Sequence, residues 1–433
     1  MNVLLIGSGG REHAIARALS RSPRLDRLFI LPGNAGTEQL GTNVPGDPSD
    51  IGLALSVARR ENIGLTIVGP EDPLAAGIVD AFQQAGLRIF GPTAAAARLE
   101  ADKAWAKQLM RAQAVPTAEA RIFDDYALAR RYISTRDVPL VVKAAGLAKG
   151  KGAIVCHDPA QAIIAAEKML KQRIFGPAGA RIVVEERLEG REVSLLAIVS
   201  GHTLCILEPA QDHKRLRDGD EGPNTGGMGA FSPAPTINAE IQRQIETQIF
   251  VPTLDALVRD GIRFCGVLYA GLMLTVAGPK VLEFNCRFGD PETQVQLPRL
   301  RTDLLDVLEA AVDGRLGDIE LEWDPRHALC VVMASSGYPE KYQTGFPISG
   351  LPDDADRDDL TLFHAGTRRV GGQVVTAGGR VLGVTALADT LEEARRKAYA
   401  VVEQIRFEGA YYRKDLGLQP APVLRGSGRG EPG

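Results

Sequence analysis

The sequence reads as a multidomain α/β and α+β protein, and three observations predict that class. The chain has 433 residues, room for roughly three domains at ~150 residues each. Its first hundred residues alternate short β-branched runs with amphipathic stretches, the pattern of a parallel α/β sheet. Beyond them extended segments come in pairs, which is α+β in character.

The elements follow in order. Val3 to Ile6, Leu28 to Leu31, Leu65 to Val68 and Arg88 to Phe90 are the strands of the first unit, and Arg11 to Leu19 is a helix. From about Lys103 to Leu316 strands pair, with helices expected between Pro159 and Phe175 and between Asn238 and Asp260. The remainder opens with a strand at Leu329 to Met333, runs through short strands with Gly turns, and closes with a helix from Leu391 to Ile405. Asp353 to Asp359 holds five aspartates and reads as a solvated loop, because clustered like charge repels. The tail from Gln419 to Gly433 has almost nothing to bury and reads as disordered.

Composition excludes several classes. Hydrophobic residues make up 45% and charged residues 24%, ordinary values that argue against a disordered or membrane chain. A net charge of -4 gives no electrostatic reason to expect nucleic acid. No stretch approaches the ~18 uninterrupted apolar residues of a spanning helix, and Met1 to Gly10 lacks the basic flank of a signal peptide. Cys156, Cys205, Cys265, Cys286 and Cys330 lie far apart without a CxxC pair, so they read as reduced thiols. A cytoplasmic protein that binds small molecules, without nucleic acid or membrane partners, is expected.

Chemistry concentrates in a few segments. The strand Val3 to Ile6 runs into Gly7-Ser8-Gly9-Gly10-Arg11-Glu12-His13, whose glycines present N–H groups at a helix start. A dinucleotide fingerprint would need glycine at position 12, where Glu12 stands, so an NAD-dependent oxidoreductase is disfavoured. A second loop, Gly146 to Gly152, joins two strands rather than a strand and a helix, so it is no Walker loop. It reads as a hairpin flap in which Gly150, Lys151 and Gly152 fold over phosphate oxygens. Lys143 ends an apolar strand and needs an anion nearby. Groups at Glu185, Glu186 and Leu188 would meet an adenine edge, and Glu192 would accept from ribose hydroxyls.

The densest constellation is Val281 to Thr293. Alternation puts Glu283, Asn285 and Arg287 on one face and turns Leu282, Phe284 and Phe288 to the core. A carboxylate and a carboxamide ~7 Å apart on a strand offer oxygen ligands to Mg²⁺, and Arg287 would reach a transferring phosphoryl group. Asp290 and Glu292 add charge beside the same run. Asp212 and Lys214 precede the glycine-rich Gly226, Gly227, Met228 and Gly229, a pairing of polar groups with permissive backbone that suggests a loop gripping substrate.

From Met1 to about Leu416 these segments resemble the phosphoribosylamine-glycine ligase (glycinamide ribonucleotide synthetase) family of the ATP-grasp superfamily. The resemblance rests on GSGGREH at 7 to 13, PGNAG at 32 to 36, TIVGPE at 66 to 71, QDHKR at 211 to 215, GPNTGGMGAFSPAP at 222 to 235, LYAGLM at 268 to 273 and LEFNCRFGDPETQ at 282 to 294. It implies a Rossmann-like (pre-ATP-grasp) domain at 1–102, an ATP-grasp region at 103–317 with 117–192 as its flap-bearing lobe, and a small α+β domain at 318–418. By the same resemblance Lys103 and Lys143 contact ATP phosphates, Glu185, Glu186, Leu188 and Glu192 hold adenosine, and Glu283 with Asn285 holds Mg²⁺, or Mn²⁺ in its place. Arg287 and Asp290 are the catalytic pair, with Arg287 steadying an acyl phosphate. Gly9 and Gly10 lie near the substrate phosphate, and Asp212, Asp290, Pro291 and Glu292 near the amine or glycine.

The chain departs from the family in reading Lys143-Ala144-Ala145-Gly146 where KADG is common. Gly271 stands where other ATP-grasp enzymes carry a second acidic metal ligand. The implied reaction joins glycine to 5-phosphoribosylamine through glycyl phosphate, with ATP as co-substrate, in a monomer or weak dimer. Another ATP-grasp ligase and a nucleotide sensor without catalysis are the rival readings.

Overall fold

The computed structural model describes residues 1–148, 150–352, 354 and 356–418. Lys149 of the flap, Asp353 of the aspartate run and the tail 419–433, read above as disordered, lie outside the described residues.

The first unit is a five-stranded parallel sheet in the order Thr42–Asn43, Arg27–Pro32, Asn2–Gly7, Ile63–Val68, Ile89–Phe90. Strand Asn2–Gly7 is apolar throughout because helices cover both faces of a parallel sheet. Val3 and Leu5 pack with Ile15 and Leu19 of helix Gly10–Ser20. Leu4 and Ile6 turn the other way, onto Val57 and Phe82. The strands on either side of Asn2–Gly7 connect in opposite directions, so a crevice opens at its carboxyl end, beside Gly7 to Gly10.

The middle of the chain builds two antiparallel four-stranded sheets. One runs Ala120–Phe123, Ile182–Glu186, Leu140–Ala144, Ala153–Cys156 and carries the flap between its last two strands. Helix Pro159–Leu170 covers it, started by Asp158, whose side chain accepts from Gln161 N, and by Pro159 in the first turn. The other sheet runs Thr203–Ile206, Arg191–Ser200, Cys265–Thr275, Gly278–Asn285. Helices Ala239–Ile245 and Val251–Arg259 are joined by a π-helical turn at Glu246–Phe250 and pack on this second sheet.

A last antiparallel sheet is ordered Gln211–Asp212, Gly229–Ser232, His327–Ala334, Arg380–Ala388, Leu360–His364. Two of its strands come from 211–232, so the loop between them is held by the C-terminal core. Helix Leu391–Val402 closes over it, ending three residues before Ile405, whose side chain still joins the same core. The aspartate run is more than a wet loop. Asp356 meets Arg17, Asp358 meets Arg326 at 2.8 Å and Asp359 meets Lys397 at 3.2 Å, so its repulsion is offset by cations of neighbouring elements.

One register departs from simple alternation. Gly271 pairs with Glu283 but Leu272 pairs with Val281, so Leu282 is the extra residue of a bulge. Val281 and Phe284 fill the core, and Leu282 is only half buried, correcting its expected place.

Candidate functional site

A cleft of about 130 Å³ opens between the flap-bearing sheet, the strand Gly278–Asn285 and the loop after Asp212. It brings together Lys103, Gly150, Gly152, Asp212, Lys214, Gly226, Glu283, Asn285, Arg287, Asp290 and Glu292. Gly9, Gly10, Lys143, Lys151, Glu185, Glu186, Leu188, Glu192, Gly227, Met228, Gly229 and Pro291 stand outside its immediate wall.

At one end the strand Gly278–Asn285 presents its polar row. Burial alone would raise the Glu283 carboxyl, but Lys103, Lys214, Lys143 and Arg287 outweigh it and hold the group below the usual range, so it stays ionised. Arg287 lies 3.4 Å from Glu71 and 3.3 Å from Glu100, and its Nη2 donates to Asn285 Oδ1 at 3.4 Å. Burial works against this guanidinium, yet Glu100 and Glu71 raise its pKa. Glu100 is itself pushed up by burial in spite of Arg287, and accepts from Cys286 N at 2.7 Å. Lys103 starts the helix Lys103–Ala112, whose N-cap Asp102 accepts from Trp105 N.

The flap spans the hairpin in which Lys143 pairs with Ala153. Gly150 adopts φ +75°, which a side chain would resist. Ala145, at the place of the family's aspartate, is buried with Ala104 and Val183. Its carbonyl accepts from Lys103 N at 2.8 Å, so backbone bonds order the flap's base. Behind the flap the Glu185 carboxylate is only 2% exposed. Lys143 Nζ lies 2.9 Å from its Oε2 and Lys107 Nζ 3.1 Å from its Oε1. The Glu185 side chain is thus a clasp between lysines. Burial brings the Lys107 ammonium down to about 8.

At the other end a buried polar network faces the cleft. The Tyr269 hydroxyl donates to Glu292 Oε1 at 2.8 Å, lies 2.7 Å from Ser194 Oγ, and accepts from Lys214 Nζ at 3.3 Å. Lys214 also meets Asp212 Oδ2 at 3.3 Å, while Asp212 Oδ1 is buried and has no hydrogen-bond partner among the described residues. Burial pushes the Asp212 carboxyl up to about 7 against the pull of Lys214. Asp290 is gripped by Arg380 at 2.9 Å and by Gln294 Nε2 at 2.6 Å. The Tyr338 hydroxyl accepts from Gly226 N at 2.8 Å.

The first glycine loop reaches this end. A Cβ on Gly9 would stand 3.5 Å from Asp290 Oδ2, and one on Gly10 only 2.6 Å from Gln294 Nε2. The Gly9 amide is already taken, donating to Glu12 Oε2 at 2.5 Å, so the residue that stands where a fingerprint glycine would be also occupies the loop's own donor. Met228 is fully buried, its amide donating to His213 O at 2.9 Å, and a Cβ on Gly229 would strike Cys330 O at 2.5 Å. Both serve the sheet.

Sequence reasoning missed Glu71, Glu100, Lys107, Tyr269, Gln294 and Arg380. TIVGPE, LYAGLM and LEFNCRFGDPETQ contain Glu71, Tyr269 and Gln294, while Glu100, Lys107 and Arg380 carry no such local signal. A larger cleft of about 550 Å³ lies elsewhere, lined by Arg17, Arg301 and Arg326, but these pair with Asp356 and Asp324.

Two facing antiparallel sheets, one with a glycine-lysine flap and the other with an acid-amide strand, define a ligase of the ATP-grasp class. Residues 1–100, 101–293 and 328–419 match the N domain, the ATP-grasp (A) domain and the C domain of phosphoribosylglycinamide synthetase. The chain belongs to the phosphoribosylglycinamide synthetase family. It is 51% identical to the phosphoribosylamine–glycine ligase of Rhodopirellula baltica, over 96% of this chain and 97% of that one. The protein of the same name from Halalkalibacterium halodurans is 49% identical over 96% of each. The crystal structure of the Thermotoga maritima phosphoribosylamine–glycine ligase superposes with a TM-score of 0.85 at 35% identity, covering 96% of this chain and all of that one. The biotin carboxylase of Campylobacter jejuni shares the fold at a TM-score of 0.74 and 14% identity, covering 96% of this chain and 94% of that one.

Proposed function

We propose that the chain joins glycine to 5-phosphoribosylamine at the expense of ATP, giving glycinamide ribonucleotide, ADP and phosphate in purine synthesis. One observation carries the reading. A single cleft holds a phosphate-facing end of lysines and glycines and an amine-facing end of buried carboxylates, in a chain half identical to ligases of that name.

In the first step a glycine carboxylate oxygen attacks the γ-phosphorus, the bond to the bridging oxygen breaks, and ADP leaves. In the second the neutral amine of phosphoribosylamine attacks the glycyl carbonyl carbon, phosphate departs with the electron pair of the broken C–O bond, and the amine gives up a proton. Lys103, Lys143 and the flap at Gly150 to Gly152 neutralise the triphosphate, and Arg287 steadies the acyl phosphate. Asp290, fixed by Arg380 and Gln294, holds the amino group of glycine. Asp212, with one oxygen unpartnered among the described residues, takes the proton of the attacking amine. The acyl phosphate is labile in water, so flap closure protects it.

The donor set fits a hard divalent cation, Mg²⁺ or Mn²⁺, because Glu283 stays ionised and Asn285 supplies a second oxygen. Its charge would offset that of the phosphates. Gly271 pairs directly with Glu283, so the neighbouring strand contributes no carboxylate there. Among the described residues no group of three His, Cys, Asp or Glu forms a metal cage, which suits a cation that keeps water and phosphate ligands.

No helix among the described residues is long and apolar enough to cross a membrane, and the five cysteines are free thiols, consistent with a reducing cytoplasm. The test is ADP release with glycine and freshly made phosphoribosylamine, each omitted in turn. Release that requires both supports the reading. Release indifferent to glycine, or ATP binding without any ADP, overturns it.

A further inference from the structure

Lys107 has no part in the roles assigned above, yet its position is unusual. It lies one turn beyond Lys103 on helix Lys103–Ala112, on the face turned inward, and is only 6% exposed. A buried ammonium is costly unless it is paired and hydrogen-bonded. Lys107 has both kinds of partner. Its Nζ donates to Thr117 Oγ1 at 2.6 Å, whose hydroxyl donates in turn to Val281 O at 2.6 Å, and its charge meets Glu185 Oε1 at 3.1 Å.

The other oxygen of the same carboxylate is 2.9 Å from Lys143 Nζ, which also donates to Leu282 O at 2.9 Å. One buried carboxylate therefore stands between two ammoniums. Glu186 also faces Lys107, and Glu283 and Glu192 face Lys143. If Glu185 faced Lys143 alone, the pair would be neutral and Lys143 would be drawn back toward the sheet. With Lys107 on its far side, the Glu185 carboxylate is shared between two cations, one on each oxygen, so neither lysine holds it alone.

We propose that Lys107 is a positioning residue for the nucleotide: by sharing Glu185 it leaves Lys143 placed for the triphosphate. The proposal rests on the ligase reading, in which Lys143 faces ATP phosphates, and extends it to a residue with no assigned role.

The experiment compares the full chain with Lys107→Met, Lys107→Arg and the double variant Lys107→Met/Glu185→Gln, reading ADP release against ATP at saturating glycine and phosphoribosylamine. Lys107→Met should raise the KM for ATP about tenfold, leaving kcat and the KM for glycine within about twofold. Lys107→Arg should restore most of the loss. Removing the carboxylate as well should also restore it, because Lys143 then has no single competitor for its charge. An unchanged KM for ATP, an equal loss in the KM for glycine, or no rescue by the second substitution overturns the proposal.

Calorimetric titration with ATP separates this idea from the ligase reading. If the unmodified chain turns over nothing while Lys107→Met still weakens ATP binding about tenfold, the reaction assignment falls and the positioning role stands. If turnover is normal and ATP binds every variant alike, the reverse holds.

Discussion

Acid should loosen the seam between the N-terminal sheet and the C-terminal sheet, and two histidines set the size of the effect. His13, on helix Gly10–Ser20, is buried, and its Nδ1 accepts the amide of His364 at 2.8 Å. Its ring stands edge-on to Phe363 at 5.6 Å. Burial first, then the charges of His364 and Arg17, brings His13 from 6.5 down to about 3. Burial, then Arg369, brings His364 down to about 4. Both are bases that the folded chain keeps neutral while the unfolded chain protonates them. Their contribution is therefore complete above 6.5 and is lost progressively as pH falls toward the folded values. Between pH 7 and pH 5 proton uptake by the unfolded chain costs about 2 kcal/mol for each histidine, or about 4 kcal/mol for the pair. The assay is urea unfolding at both pH values for the unmodified chain and for His13→Gln, whose amide oxygen can still accept from His364. The substitution should remove about 2 kcal/mol of the acid sensitivity. An unchanged difference between the two pH values would refute the reasoning.

Three further outcomes follow from the cleft. Gly227 adopts φ +107°, and a Cβ there would lie 2.4 Å from Pro291 Cδ and 2.6 Å from Asp212 Oδ1. Gly227→Ala should therefore cost at least ~1–2 kcal/mol in backbone strain and raise the KM for glycine or phosphoribosylamine, as steady-state kinetics would register. Arg287→Ala leaves buried Glu100 without its closest cation, which should cost ~3–5 kcal/mol of stability and about a hundredfold or more in turnover. Adding Glu100→Gln should recover stability in a melting experiment without recovering turnover. Asp212 must be ionised to accept a proton, so kcat/KM should rise with pH through about 7. Asp212→Asn should abolish that limb and lower kcat about a hundredfold.

How much could be read from the chain depends on whether the physics is local. The unbroken apolar runs at Val3 to Ile6 and Leu65 to Val68 can be satisfied only by a sheet covered on both faces, so the parallel unit was legible. Glu283 and Asn285 share a face for the equally local reason that strand residues alternate, and Arg287 follows two residues beyond the strand's end. The phase of that alternation was not legible across Leu282, because the bulge arises from pairing with a strand ten residues away. Glu100, Lys107 and Arg380 sit in helices and strands with no motif around them, and only chain closure brings them to Arg287, Glu185 and Asp290. Glycines near a loop suggest contact with a ligand, yet Gly229 is glycine because Cys330 and Leu416 leave no space for a Cβ.

The central claim is that glycine's own carboxylate is phosphorylated before the amine attacks. Glycine labelled with heavy oxygen in its carboxylate, turned over with ATP and phosphoribosylamine, tests this directly by mass analysis of the phosphate released. Each phosphate should carry one labelled oxygen from glycine. Unlabelled phosphate, formed at the same rate as glycinamide ribonucleotide, would contradict it.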